Sequence, residues 1–419
     1  MGKRKIFYGY YIVAVCTLLM ATMFCLRINL FSLFVVPVTE GMGISRSQFS
    51  LISTIASFIG MILSPVAGKV LAQKNIRYIM TAAIAVCTLS YGSLALAHEP
   101  WHLYVSAVGI GLSFIFVANL PVSILLNRWF VKNRATVTSI AFAGANIGAM
   151  ILSPIVTFML EDLGWRETYS ILGIGMCVIL VPIVFFVVRG NPNELGLEAY
   201  GASGVNVKSS ESNAVGLSLK ELRKTATFWL FLTGLTLVVL CIGVQYHMPA
   251  HITKSLGYSS EQAALFVSIY SFVAIFGKFL IGAVFDKKGS KAGILICAGS
   301  LTILFIFLAS VKDFIPLCIG GAFYGIGGSC GTLLAPLLVG RTFGNKYFGE
   351  IAGFVNAFTA FAMAINNPLF ASVYDITGSY TPAWIGGAAV SMIGVALLLL
   401  CVNRGKSMLA SAMAETTDN

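Results

Sequence analysis

Residues 262–289 read QAALFVSIYSFVAIFGKFLIGAVFDKKG, and the fold is decided by how this stretch is read. From Gln262 to Phe285 it is an apolar run long enough to cross about 30 Å of hydrocarbon as a helix, with one cation, Lys278, inside it. It ends in Gly282-Ala-Val-Phe-Asp286-Lys287-Lys288-Gly289, a charged stop. A helix rises about 1.5 Å per residue, so Lys278 lies roughly 12 Å before Asp286 and cannot share its charge. A cation near the bilayer centre costs about 2.5–3.5 kcal/mol even on a lenient insertion scale, so its presence needs a reason. The reading adopted is that its partner is an anionic substrate.

The rest of the chain has the same character. Of 419 residues, 58% are hydrophobic and 10% charged, far more apolar than a soluble protein, where about a quarter are charged. Apolar segments of spanning length fall near 8–37, 48–71, 78–97, 101–126, 136–160, 165–188, 226–250, 262–285, 292–311, 314–339, 348–374 and 382–402. The expected fold is therefore all-α: a polytopic membrane protein of twelve transmembrane helices. Most of the nine cysteines lie inside these segments without Cys-x-x-Cys or Cys/His spacing, so neither a disulfide framework nor a metal site is read, and no cofactor is called for.

The net charge of +11 is distributed as in a membrane protein, which argues against nucleic acid as a partner. Lys and Arg gather before segment 1 (Lys3, Arg4, Lys5) and after every even segment, at Lys69 and Lys74, Arg128 and Lys132, Arg189 and Lys208, Lys287 and Lys288, Arg341 and Lys346, and Arg404 and Lys406. The alternate loops hold only Arg46, Arg166, Lys254 and Lys312. Basic residues mark the cytoplasmic side, so both termini and the 189–224 loop are expected there, in a multi-pass protein of the cell membrane.

Landmarks recur at one offset. Arg128-Trp-Phe before segment 5 is echoed by Arg341-Thr-Phe before segment 11, and Asp162 is echoed by Asp375 at the same separation; Gly68 and Gly282 match to within one position. This implies two six-helix pseudo-repeat halves, 1–189 and 226–403, with a polar connector at 190–225, read as a flexible linker ending in a short surface helix at 217–224, and a tail at 404–419. Two such halves, a central loop and Gly-x-x-x-Asp-Lys-x-Gly at 282–289 resemble the major facilitator superfamily over nearly the whole chain. Gly43-Ile-Ser-Arg-Ser-Gln-Phe-Ser50, Asn127-Arg-Trp-Phe-Val-Lys-Asn-Arg134 and Asn191-Pro-Asn-Glu-Leu-Gly-Leu197 resemble its monocarboxylate and oxalate/formate porter branch. The first-half copy of the motif departs from the family, carrying Ala72 and Asn75 where the family has Asp and Gly, so Asp286 is left to carry the cytoplasmic latch.

Every Asp and Glu lies at or beyond a segment end, yet two cations, Arg27 and Lys278, lie inside segments. Snorkelling of either side chain to an interface is the alternative reading. The resemblance implies that helices 1, 4, 7 and 10 line the cavity and that a cation on helix 8 binds carboxylate. Polar companions on these and neighbouring segments are Asn119, Gln245, Tyr246, His247, Tyr270, Tyr324 and Asn356; Gly282, Asp286, Lys287, Gly289 and Arg128 are read as gating residues. For each companion an ordinary interhelical hydrogen bond explains the residue as well as substrate contact does.

The expected function is secondary active transport of a small organic anion, a lactate- or pyruvate-like monocarboxylate, by alternating access with proton symport, in a functional monomer. With two cations and no carboxylate at depth, a dianion balances both; if Lys278 passes its proton on, one monocarboxylate balances Arg27. An anion exchanger of the oxalate/formate or dicarboxylate type is the alternative, and a membrane sensor the non-transporting one. An enzyme is not expected: no nucleophile with a base is read, and the four histidines (98, 102, 247, 251) lie toward the outer ends of their segments.

Overall fold

The computed structural model describes residues 7–202 and 216–417, with side chains for all of these except 46, 47, 260, 264, 367, 368, 371, 375 and those beyond 404. Lys3, Arg4, Lys5 and Lys208, and the side chains of Arg46, Asp375 and Lys406, lie outside the described residues. The chain forms two compact units that part within the 203–215 stretch. The first holds α1 (9–42), α2 (Arg46–Gln73), α3 (Ile76–Leu94), α4 (100–129), α5 (Arg134–Asp162) and α6 (Trp165–Val187). The second holds α7 (226–255), α8 (260–288), α9 (290–310), α10 (314–343), α11 (Phe348–Thr377) and α12 (Thr381–Thr417).

These are the twelve helices expected. Among the described residues, nine helical stretches, and α10 as a bent pair, are long and apolar enough to cross a membrane. One of the nine, Glu261–Ser310, contains both α8 and α9, because Gly289 leaves the helix at φ 82°, ψ −177°, a conformation that favours glycine. The remaining one, α3, is diluted by Arg77, Thr81, Thr88, Ser90 and Ser93 but spans 19 residues. Exposed stripes such as Phe58, Ile62 and Val66 on α2 run at helical spacing, as a lipid-facing surface requires. The last helix continues past the expected end of segment 12 to Thr417, so the 404–417 tail is helical.

Local sequence starts and stops these helices. Gly43, at φ 64°, ends α1, and shortly after it Ser45 and Gln48 form a reciprocal capping box that opens α2. The same device recurs at the matching place in the second unit, with Gly257 at φ 77° and the Ser259–Gln262 box opening α8. Breaks recur too. Helix α4 is interrupted at 115–118, between Phe114 and Asn119, and α10 at 328–329, so the two interruptions begin at matching positions of the repeat. Helix α1 carries a π turn, Met20–Phe24, and a 3-10 turn, Phe31–Phe34; α7 carries a 3-10 turn, Ile242–Tyr246.

Small residues let the helices of each unit approach. A Cβ on Gly144 or Gly148 of α5 would fall on the carbonyl oxygens of Thr17 or Ala21 of α1. The glycines of α10 are packing surfaces as well: a Cβ on Gly325 would come within 2.6 Å of the Tyr270 carbonyl.

The connector is more ordered at its ends than a flexible linker. Asn191 and Glu194 cap a 3-10 turn at Pro192–Leu195, and Tyr200 pairs with the α4–α5 turn through Val131 N–H and Trp129 C=O at 3.0 and 2.9 Å. Tyr200 also packs against Phe7 and Tyr10. The ring contacts of these aromatics hold the segment, an effect that its Gly/Asn-rich composition hides. At the far end a short helix forms at Leu219–Leu222, opened by Ser218 and Glu221. Hydrogen bonds from the Ser218 backbone and hydroxyl hold the Glu221 carboxyl below the usual range.

Candidate substrate-binding and gating residues

In the first unit, Arg27 follows the π turn of α1, which adds a residue to the helix and resets the face that later side chains occupy. Its guanidinium lies over the Phe114 ring of α4 at 4.2 Å and donates from Nη2 to Ser57 Oγ of α2 at 2.9 Å. A small, partly open recess begins at this side chain and is walled by Ser53, Tyr91 and Tyr169 together with apolar residues. Tyr169 is stacked on Phe34 at 4.1 Å, and both tyrosine rings are buried. Sequence reasoning missed Ser53, Tyr91 and Tyr169, because a lone tyrosine or serine in an apolar segment has no pattern to betray it. Asn119 opens the second half of α4, half-buried, with its Oδ1 enclosed and unbonded.

In the second unit, Lys278 is 7% exposed on α8. Its neighbour Gly277 lies against the backbone of Gly325 and Ile326, so α8 and α10 are in close contact beside the lysine. One turn of α10 nearby is tied to α7: the Tyr324 hydroxyl is shared between the Ile242 carbonyl at 3.1 Å and Gln245 Oε1 at 3.0 Å. Tyr270 meets the Tyr324 ring edge-on at 5.1 Å. Gln245, Tyr270 and Tyr324 thus come together, joining α7, α8 and α10. His247 is buried beside the rings of Phe370 and Tyr380, Tyr246 is 54% exposed, and Asn356 is half-buried on α11. His251 packs edge-on to Trp384 and Tyr380, forming with His247 an aromatic cluster that the sequence did not single out.

The residues expected to act in gating occupy the charged ends of the helices. Arg341 of α10 pairs with Asp286 of α8 at 2.9 Å and donates to the Phe285 carbonyl at 2.6 Å. Arg128, its counterpart in the first unit, meets Ala72 where the second unit has Asp286. There Nη2 donates to the carbonyls of Leu71 and Ala72, both at 3.1 Å, and Nη1 reaches the Gly190 carbonyl at 3.5 Å. The last carbonyls of a helix have no partner within it, so the arginine caps α2. Asn75 replaces the turn glycine by another route: its backbone is extended, and its side chain accepts from Arg77 N–H at 3.1 Å to open α3. Gly282 is buried, and Lys287 is exposed beside Asp286.

The sequence model of the Major Facilitator Superfamily matches residues 12–259 and 247–415. The chain belongs to this superfamily. It is 24% identical over 436 residues to monocarboxylate transporter 12 of Rattus norvegicus, covering 97% of this chain and 86% of that one. It is 27% identical over 285 residues to the uncharacterized transporter ESBP6 of Saccharomyces cerevisiae; that match covers 66% of this chain but only 40% of the yeast protein. The proton:xylose symporter XylE, solved with 6-bromo-6-deoxy-D-glucose, superposes with a TM-score of 0.68 at 16% identity, over 94% of each chain. That likeness is one of fold, and the substrate has to be argued from side chains. This is a multi-pass membrane transporter.

Proposed function

We propose that this superfamily member is a secondary transporter of a small monocarboxylate, lactate- or pyruvate-like, moved by alternating access together with a proton. The observation that carries the reading is Lys278, a cation 7% exposed within an apolar span of a chain whose near-full-length relative is named a monocarboxylate transporter. Lys278 binds the carboxylate and hands on the proton, a change of state that an arginine there would not make. Tyr270, Tyr324, Gln245, Tyr246, His247 and Asn356 form the polar surroundings in the second unit, and Arg27 and Asn119 those in the first. Asp286, Lys287, Gly282, Gly289 and Arg128 control cycling. The protein works as a monomer in the cell membrane with both termini cytoplasmic.

A second reading, exchange of one anion for another, is favoured by Arg27. Among the described residues no carboxylate lies within ion-pair distance of it, and a guanidinium keeps its charge, so crossing without an anion is costly. Radiolabelled lactate in proteoliposomes tests both. Uptake driven by an inward proton gradient supports symport, counterflow without net uptake supports exchange, and neither with any carboxylate of a panel overturns the reading.

A further inference from the structure

The Arg27 guanidinium has five N–H donors, and its hydrogen bond to the neutral hydroxyl of Ser57 uses one of them. Its Nε is enclosed without a partner, and one face is covered by Phe114. The side chain as a whole is half-buried, and a partly enclosed charge with donors to spare is stabilised when an anion completes the site. The recess in front of it has the walls such an anion needs. Tyr91 and Tyr169 bring phenol groups, which donate to carboxylate oxygens, while Ile52, Leu94 and Ile110 offer only hydrocarbon. One cation and two phenols beside an apolar wall match a single carboxylate with a short apolar tail.

We propose that this recess is a carboxylate-binding subsite of its own, formed entirely by the first unit, which takes a short monocarboxylate with its carboxylate on Arg27 and its tail against Ile52, Leu94 and Ile110. The ligand class rests on the function proposed above, but the site does not involve Lys278. Tyr91 and Tyr169 set how long a tail is admitted, because their rings are fixed, Tyr169 by Phe34 and Tyr91 by its packing against Tyr169 at 6.5 Å.

The experiment is equilibrium binding of radiolabelled lactate to the purified full-length protein, wild type and Lys278→Gln, with thermal unfolding as the check on folding. Binding should weaken but remain measurable in Lys278→Gln, and fall at least a further tenfold when Arg27→Gln is added. Arg27→Lys should weaken it less, and Tyr169→Phe about threefold. Acetate and propionate should compete, and octanoate should not. Loss of all binding in folded Lys278→Gln, while the wild type still transports lactate, overturns the subsite alone, as does unchanged binding in the double variant or equal competition by octanoate. A wild type that neither binds nor moves any carboxylate overturns both the subsite and the transport reading.

Discussion

Lys278 and Asp286 share one helix but differ in surroundings, and the proposed function gives them different work. Asp286 is paired with Arg341 at the helix end, whereas Lys278 is enclosed at depth. Lys278→Gln should abolish carboxylate transport, and Lys278→Arg should keep exchange while losing proton-driven accumulation, as measured by uptake with and without an imposed pH gradient. Near wild-type uptake in Lys278→Gln with unchanged pH dependence would reduce the lysine to a snorkelling residue. Asp286→Asn should slow turnover at saturating substrate while leaving affinity within about threefold, a difference of roughly 0.65 kcal/mol. The opposite pattern, weak binding with normal turnover, would move Asp286 into the binding site. Lys278 and Arg27 were legible in the sequence because charge inside an apolar segment stands out. Tyr91, Tyr169 and Ser53 were not, because only the fold brings residues of α2, α3 and α6 to the arginine.

Among the elements, hydropathy located the helices but carried no information on where they are interrupted. The π turn Met20–Phe24 lies in a continuous apolar run, and the break at 115–118 contains no proline. The capping boxes at Ser45 and Ser259 are written in the sequence as two copies of Gly-x-Ser-x-x-Gln, the first of which lies in the stretch that resembles the porter branch. The contact of α5 on α1 makes a prediction at this scale. Gly148→Leu forces a side chain into the Ala21 backbone, and the strain of overpacking, typically about 1–3 kcal/mol, should appear as a lower unfolding temperature in detergent. Arg128→Gln should also destabilise, by about 1–3 kcal/mol, since the carbonyls of Leu71 and Ala72 lose their cap. An unchanged unfolding temperature in both would mean that these contacts contribute nothing to the first unit.

For the whole molecule, the internal repeat explains why so much of the fold was legible: each landmark had a second copy, at a nearly constant offset, to check it against. The copies diverge at Ala72 and Asn75, where the first unit replaces an ion pair by a helix cap and a glycine turn by an Asn cap. The alternation of basic loops then makes a prediction about the chain as a whole. Each of the twelve helices reverses direction, so loops after even-numbered helices share one side and the others the opposite side. Lysine and arginine concentrate in the even set, including Lys74, Lys132, Lys288 and Lys346, so that set is expected in the cytoplasm. Single cysteines introduced near Trp101 and Asp313 should therefore react in intact cells with a membrane-impermeant maleimide, whereas cysteines near Lys208 and Lys288 should react only after permeabilisation. The background needs substitution of accessible native thiols, beginning with the partly exposed Cys177 and Cys318. Labelling near Lys208 and Lys288 alone from outside would invert the orientation and, with it, the side on which the Asp286–Arg341 pair lies; labelling of both sets from one side would contradict the odd number of spans that separates them.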